Sequence, residues 1–237
     1  MVNFLYKASY DVQDLVEIVK ILRGPGGCPW DQVQTHESIC RDLLEEAYEV
    51  VDAIGQKDPA GIKEELGDVL LQVVFHTGIE REHNGLTLDQ VADGVCKKLI
   101  YRHPHVFGEV TVSGTDEVLS NWEVLKRAEK GQDTDTDALQ AVARALPALW
   151  RAEKVQKKAE KAGTQWPDTA GQVDKLCGET DRLRSAVQKQ GDVQRALGQL
   201  LFETVALARR LGVDPEAALT DATDRFICDF RARVEQN

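Results

Sequence analysis

Strand signal, paired cysteines, long apolar runs and positive charge are what this 237-residue chain has little of. Its five cysteines, Cys28, Cys40, Cys96, Cys177 and Cys228, are odd in number and include no C-x-x-C spacing, which excludes a disulfide framework and a thiolate zinc site. No apolar stretch approaches the length needed to cross a bilayer, and residues 1–10 lack the basic, apolar, small-residue order of a secretion signal. The expected location is therefore the cytoplasm, with no membrane partner. Lys and Arg are outnumbered 29 to 40 by Asp and Glu, and a net charge of -11 argues against a nucleic-acid polymer as partner, since gripping a phosphate backbone takes clustered cations.

The charge is unevenly spread. Residues 1–130 carry 13 Lys and Arg against 23 Asp and Glu, the remainder 16 against 17. The acid excess belongs to the first half, for which metal ions or metal-complexed anions are better partners than polyanions.

What is present is helical periodicity, with Pro and Gly confined to junctions. Asp11 or Asp14 opens a helix to about Arg23, which Gly24-Pro25-Gly26-Gly27-Cys28-Pro29 breaks. A second helix is predicted from about Glu37 to Gly55, a third from Asp58-Pro59 to about Glu82 with His83-Asn84-Gly85 as its stop, and a fourth from Thr87 or Asp89 to Tyr101. A short helix carries Asn121-Trp122-Glu123. Polar, aperiodic residues 131–137 read as a linker between domains at 1–130 and 138–237. Helices are expected again over about 138–161, 170–190, 192–211 and 215–235. The fold class is all-α, a helical bundle.

The chain also repeats itself. Leu43 to Glu80 can be laid on Leu176 to Gly212 with two residues missing from the turn and the apolar positions shared. The acids are not shared: Glu45, Glu46 and Glu49 meet Gly178, Glu179 and Arg182, while Glu65 and Asp68 meet Ala196 and Gln199. The second copy is expected to keep the fold without the acid site.

The acids of the first copy carry the chemistry. On the third helix Leu66, Leu70, Val73 and Val74 cover one side while Leu71 and Phe75 share the sector of Asp68, so the helix is apolar almost all round and is expected to be buried. A carboxylate taken out of water needs a positive partner, and no Lys or Arg lies between Glu64 and Ile79. A bound metal is the simplest cation. Acids three apart share a helix face, and two such faces brought together make an oxygen-only site suited to Mg²⁺.

Glu45-Glu46-x-x-Glu49, a spacer and Glu65-x-x-Asp68 resemble the signature of the MazG family of all-α nucleoside triphosphate pyrophosphohydrolases. Gly27-Cys28-Pro29-Trp30-Asp31, Gln34-Thr35-His36, Arg102-His103-Pro104-His105-Val106-Phe107, Asn121-Trp122-Glu123 and Leu211-Gly212-Val213-Asp214-Pro215 resemble its two-copy members, so the likeness spans the whole chain. It implies a bundle of two tandem copies completed as a homodimer, and hydrolysis of a nucleoside triphosphate to the monophosphate and pyrophosphate in nucleotide-pool house-cleaning. By the same resemblance Glu46, Glu49, Glu65 and Asp68 hold Mg²⁺, with Mn²⁺ possible, and Glu45 and Glu64 are outer ligands or proton acceptors. Lys98 and Arg102 meet the triphosphate, Trp122 and Lys126 contact the nucleotide, and Trp30 stacks on the base. Where the second copy would carry its basic pair, it has Arg225 and Asp229, so activity is expected in the first copy.

Two other readings compete. A carboxylate-bridged di-iron protein needs two Glu-x-x-His motifs, and only Glu80-Arg81-Glu82-His83 is present. A non-catalytic Mg-nucleotide sensor or scaffold would keep the acids and lack turnover. His103 and His105 are expected to be structural, and Cys28 to be without chemistry.

Overall fold

The computed structural model describes residues 4–234, and every regular element among them is a helix. The chain divides into two compact units, Met1–Gly114 and Thr115–Asn237.

The first unit holds α1 (Val12–Arg23), α2 (Pro29–Gln32), α3 (His36–Gln56), α4 (Pro59–Asn84), α5 (Leu88–Arg102) and α6 (Pro104–Phe107). Local chemistry sets their ends. Asp11 and Asp14 form a capping box on α1, Thr35 and Ser38 one on α3, and Thr87 and Gln90 one on α5. Asp58 caps α4 with Pro59 in its first turn, and Gly85 ends it with φ 73°, which a residue without Cβ adopts at no steric cost. Helices α3 and α4 form an antiparallel hairpin, and α1 packs on α4. The core is Val19, Ile39, Val74, Phe75 and Ile79, flanked by Leu15, Val16, Leu70, Leu71 and Leu88.

One side chain ties the unit's N-terminal elements to α4. Arg23, 4% exposed, makes two 2.8 Å bonds to Glu82, donates to the carbonyls of Asp31 (2.7 Å) and Gln34 (3.2 Å), and lies over the Phe75 ring. The turn before α2 demands Gly27, because a Cβ there would stand 2.3 Å from the carbonyl oxygens of Ile21 and Leu22.

The second unit holds α7 (Thr115–Glu129), α8 (Asp135–Gln140), α9 (Ala148–Lys161), α10 (Thr169–Gln188), α11 (Val193–Leu211) and α12 (Pro215–Val234). Its α10–α11 hairpin is the counterpart of α3–α4, and α9 packs on α11. Fully buried Gln156 donates to the Phe202 carbonyl at 2.7 Å.

Three expectations need correcting. Residues 135–137, expected in a linker, open α8, because Thr134 and Asp137 form a capping box, and the unit boundary lies at Gly114 rather than after residue 130. The helix expected over 138–161 is broken: α8 ends at Gln140, residues 141–147 are irregular, and α9 starts at Ala148 with Pro147 as its N-cap. Helix α4 is buried over Val74–Ile79 and not around its acids: Leu66 is 52% exposed, and Leu44, Tyr48, Val51 and Ile54 of α3 are exposed too. One chain's α1 and α3 cover only one side of α4, and an all-round apolar pattern does not say how much of it a single chain can cover.

Candidate functional site

The α3–α4 hairpin brings its carboxylates together. One oxygen each from Glu46, Glu49 and Glu65 lies within 4.8 Å of the others, the one group of three or more potential metal ligands among the described residues. Asp68 stands outside that trio, yet its charge acts on both Glu46 and Glu65. Glu46 and Glu49 are three apart on α3, as Glu65 and Asp68 are on α4, so each pair points along one helix face.

Electrostatics shows what this arrangement lacks. Loss of hydration, then the charges of Asp68, Glu49 and Glu65 and a hydrogen bond with Glu49, push the Glu46 carboxyl above the ordinary range. Glu65 is raised for the same kinds of reason, loss of hydration first, then Glu49, Glu64 and Asp68. Acids crowding one another at this separation hold protons or a cation. The donor set is oxygen only, which fits a hard divalent ion such as Mg²⁺ or Mn²⁺ and not a thiophilic one.

The matching place in the second unit is satisfied from within. Buried Glu179, aligned with Glu46, accepts a hydrogen bond from Arg182, aligned with Glu49. One turn deeper the acid and the amide have changed places: Asp68 and Gln72 of α4 align with Gln199 and Glu203 of α11. Glu203, 1% exposed, receives Gln199 at 2.9 Å, Gln172 at 2.8 Å and Lys175 at 3.0 Å. Every acid left there has a cation or amide of its own chain.

The remaining predicted residues are dispersed. Glu45 and Glu64 are exposed beside the acid trio. Lys98 and Arg102 lie one turn apart on α5, Lys98 half-buried and Arg102 buried, and neither is among the main influences on Glu46 or Glu65. Lys126 sits over the Trp122 ring at 4.7 Å, both on α7 in the second unit, and Trp30 on α2 is 60% exposed. His103 packs its Nδ1 against the Leu99 carbonyl at 2.6 Å, a helix-end contact. Of the di-iron motif, the ligand Glu80 is bound by His36 and Asn84.

Residues 34–107 match the family model described as the MazG nucleotide pyrophosphohydrolase domain, a span that contains every acid of the trio, Asp68, Lys98 and Arg102. Over 225 residues the chain is 40% identical to the nucleoside triphosphate pyrophosphohydrolase of Escherichia coli K12, covering 93% of this chain and 86% of that protein. The chain belongs to the MazG family. A Thermotoga maritima relative, named nucleoside triphosphate pyrophosphohydrolase/pyrophosphatase MazG, is 41% identical over 223 residues, 94% of this chain and 85% of the relative. A crystal structure of a mazG-related protein from Thermotoga maritima aligns over 48% of this chain and 98% of its own, at 28% identity and a TM-score of 0.42. Within the MazG-matching span sequence reasoning singled out Gln34-Thr35-His36 and gave His36 no role. In the structure its ring meets that of His76 edge to edge. Trp30, Trp122 and Lys126 fall outside that span.

Proposed function

We propose that this chain hydrolyses nucleoside triphosphates to nucleoside monophosphate and pyrophosphate, with the first copy as its working site and Mg²⁺ or Mn²⁺ as its cation. The observation that carries the reading is the convergence of Glu46, Glu49 and Glu65 on one another with Asp68 beside them. The names of the Escherichia coli and Thermotoga maritima relatives support the reaction.

Glu46, Glu49, Glu65 and Asp68 would hold the cation, which when bound supplies the positive charge that draws in the phosphates and acidifies a water. The chain's own groups do the rest. Exposed Glu45 and Glu64 stand next to the trio as proton acceptors. Lys98 and Arg102 take up phosphate charge, where most of the stabilisation of a loose phosphoryl transition state lies. The face of Trp30 serves the base.

A homodimer completes the site. Leu44, Tyr48, Val51, Ile54 and Leu66 leave apolar surface beside the acids, and a second copy laid over it would exclude water from them. House-cleaning of the nucleotide pool is the role we propose for this reaction.

The test is product analysis with a panel of ribo- and deoxynucleoside triphosphates and Mg²⁺, separating pyrophosphate from orthophosphate, on the parent chain and its Glu49→Gln and Glu179→Gln variants. Pyrophosphate release lost with Glu49→Gln and kept with Glu179→Gln is expected. Bound Mg-nucleotide without any pyrophosphate would replace the enzyme with a nucleotide sensor.

A further inference from the structure

Two histidines and a glutamate join the open end of the α3–α4 hairpin, the end opposite its turn at Lys57–Asp58. His36, the first residue of α3, meets His76 of α4 edge to edge, with ring centroids 5.0 Å apart and planes within 7°. Their Nδ1 atoms are 2.7 Å apart, and His36 Nε2 is 3.0 Å from Glu80 Oε1. Glu80 also accepts from Asn84 at 2.7 Å.

The partners dictate where the protons sit. A carboxylate only accepts, so His36 Nε2 carries hydrogen. A neutral His36 then has a bare Nδ1, and the 2.7 Å contact requires His76 to donate from its own Nδ1. That leaves His76 Nε2 without hydrogen, in agreement with its burial away from any donor or acceptor. An orphaned buried N–H is rarer than an orphaned acceptor.

One added proton can be accommodated. It charges His36 beside Glu80, reverses the Nδ1 contact and puts the hydrogen of His76 on Nε2. A second proton cannot, because both Nδ1 atoms would carry hydrogen across 2.7 Å and two cationic rings would meet edge to edge. The surrounding charges do not relieve this. Glu37 on α3 and Glu80 are the nearby acids, His83 on α4 adds to the positive side, and Arg23 of α1 is committed to Glu82.

We propose that His36 and His76 are a proton-counting clasp that positions the acid-bearing helices: closed with at most one added proton, it holds the start of α3 on α4, and the second proton opens it. The pair is a positioning device, since neither ring is near the acid trio. It acts on the trio through α3, whose one flank carries His36 and whose middle carries Glu46 and Glu49. Burial and the neighbouring His36 both hold the His76 imidazole below the ordinary histidine range, which keeps the clasp closed at neutral pH.

Nitrogen NMR of the histidines in the full chain, with neither metal nor nucleotide present, tests the proton placement. At pH 7.5 His76 is expected as the Nδ1–H tautomer and His36 as Nε2–H, with proton uptake in two separate steps and the second below the ordinary histidine range. The protection factor of the Ile39 amide, in the first turn of α3, is expected to fall with that second step. In His76→Phe, which keeps a planar aromatic ring without nitrogens, Ile39 is expected to be poorly protected whatever the step. His76 as Nε2–H at pH 7.5, or two rings titrating independently with Ile39 protection indifferent to both, overturns the proposal. If His76→Phe does not fold, the parent chain's tautomers and Ile39 protection decide alone. Because this experiment uses no nucleotide, its failure leaves the proposed hydrolysis standing, and loss of the proposed hydrolysis leaves the clasp standing.

Discussion

Arg182 donates to Glu179 at the two positions where the first copy has Glu49 and Glu46. A guanidinium thus supplies, from inside the chain, the charge that the first copy would take from solution. Arg182→Gln leaves a buried acid with no cation, and the expected cost is about 1–2 kcal/mol in urea unfolding. Mn²⁺ binding to the same variant is expected to match the parent chain, since Glu179 never took part in it.

Glu46 and Glu65 titrate above their ordinary range, so the folded chain binds their protons more tightly than the unfolded chain does. Their contribution to stability is therefore fully present at low pH and is lost as pH rises through the raised values. Glu46→Gln should melt higher than the parent chain at pH 8 in EDTA, and the advantage should shrink toward pH 4.5. Millimolar Mg²⁺ should reverse the order, raising the parent's Tm and leaving the variant's nearly unchanged. Scanning calorimetry of both proteins with and without Mg²⁺ checks each sign.

Glu123 behaves in the opposite way. Burial alone would raise it, and Lys161 and Lys158 overcome that and hold the carboxyl below its usual range. This stability is present above the unfolded-state value and is lost as pH falls through the lowered one. Glu123→Gln is expected to cost about 1 kcal/mol at pH 7 and close to nothing at pH 3, as read from urea midpoints of the pair at each pH.

Arg23→Lys removes a planar fork that meets two carboxylate oxygens and two carbonyls at once. A point charge on a flexible stem cannot reproduce it, and the expected loss is about 2 kcal/mol. Urea unfolding followed by near-ultraviolet signals from Trp30, whose helix Arg23 anchors through the Asp31 carbonyl, reports it.

How much of this was legible in the sequence depended on how local the signal was. The ends of α3, α4 and α5 followed from caps, Pro59 and Gly85, because these act within one turn. The choice of Glu46, Glu49, Glu65 and Asp68 came from the family resemblance, and the spacing of acids three apart agreed with it; that Glu46, Glu49 and Glu65 group without Asp68 was not legible. Residues 135–137 were legible in principle, since Thr134 and Asp137 spell a capping box, but low hydrophobicity masked it. The exposure of Leu66 was not legible, because periodicity tells which faces are apolar and not how many neighbours one chain provides. Arg23 with Glu82 and His36 with His76 were out of reach, since partners 59 and 40 residues apart share no spacing rule.

The exchange of Asp68 and Gln72 for Gln199 and Glu203 makes the two halves differ in what they tolerate. If the first copy holds a cation as proposed, each of Glu46, Glu49, Glu65 and Asp68 would have to present bare oxygens to it, and a carboxylate in that position has few substitutes. A carboxylate already neutralised by Lys175, Gln199 and Gln172 can be traded away together with its partners for well-packed apolar side chains, since the interior asks only that charge and cation leave together. The duplicated half is thus open to redesign in blocks, and its partner, as a cation site, only residue by residue.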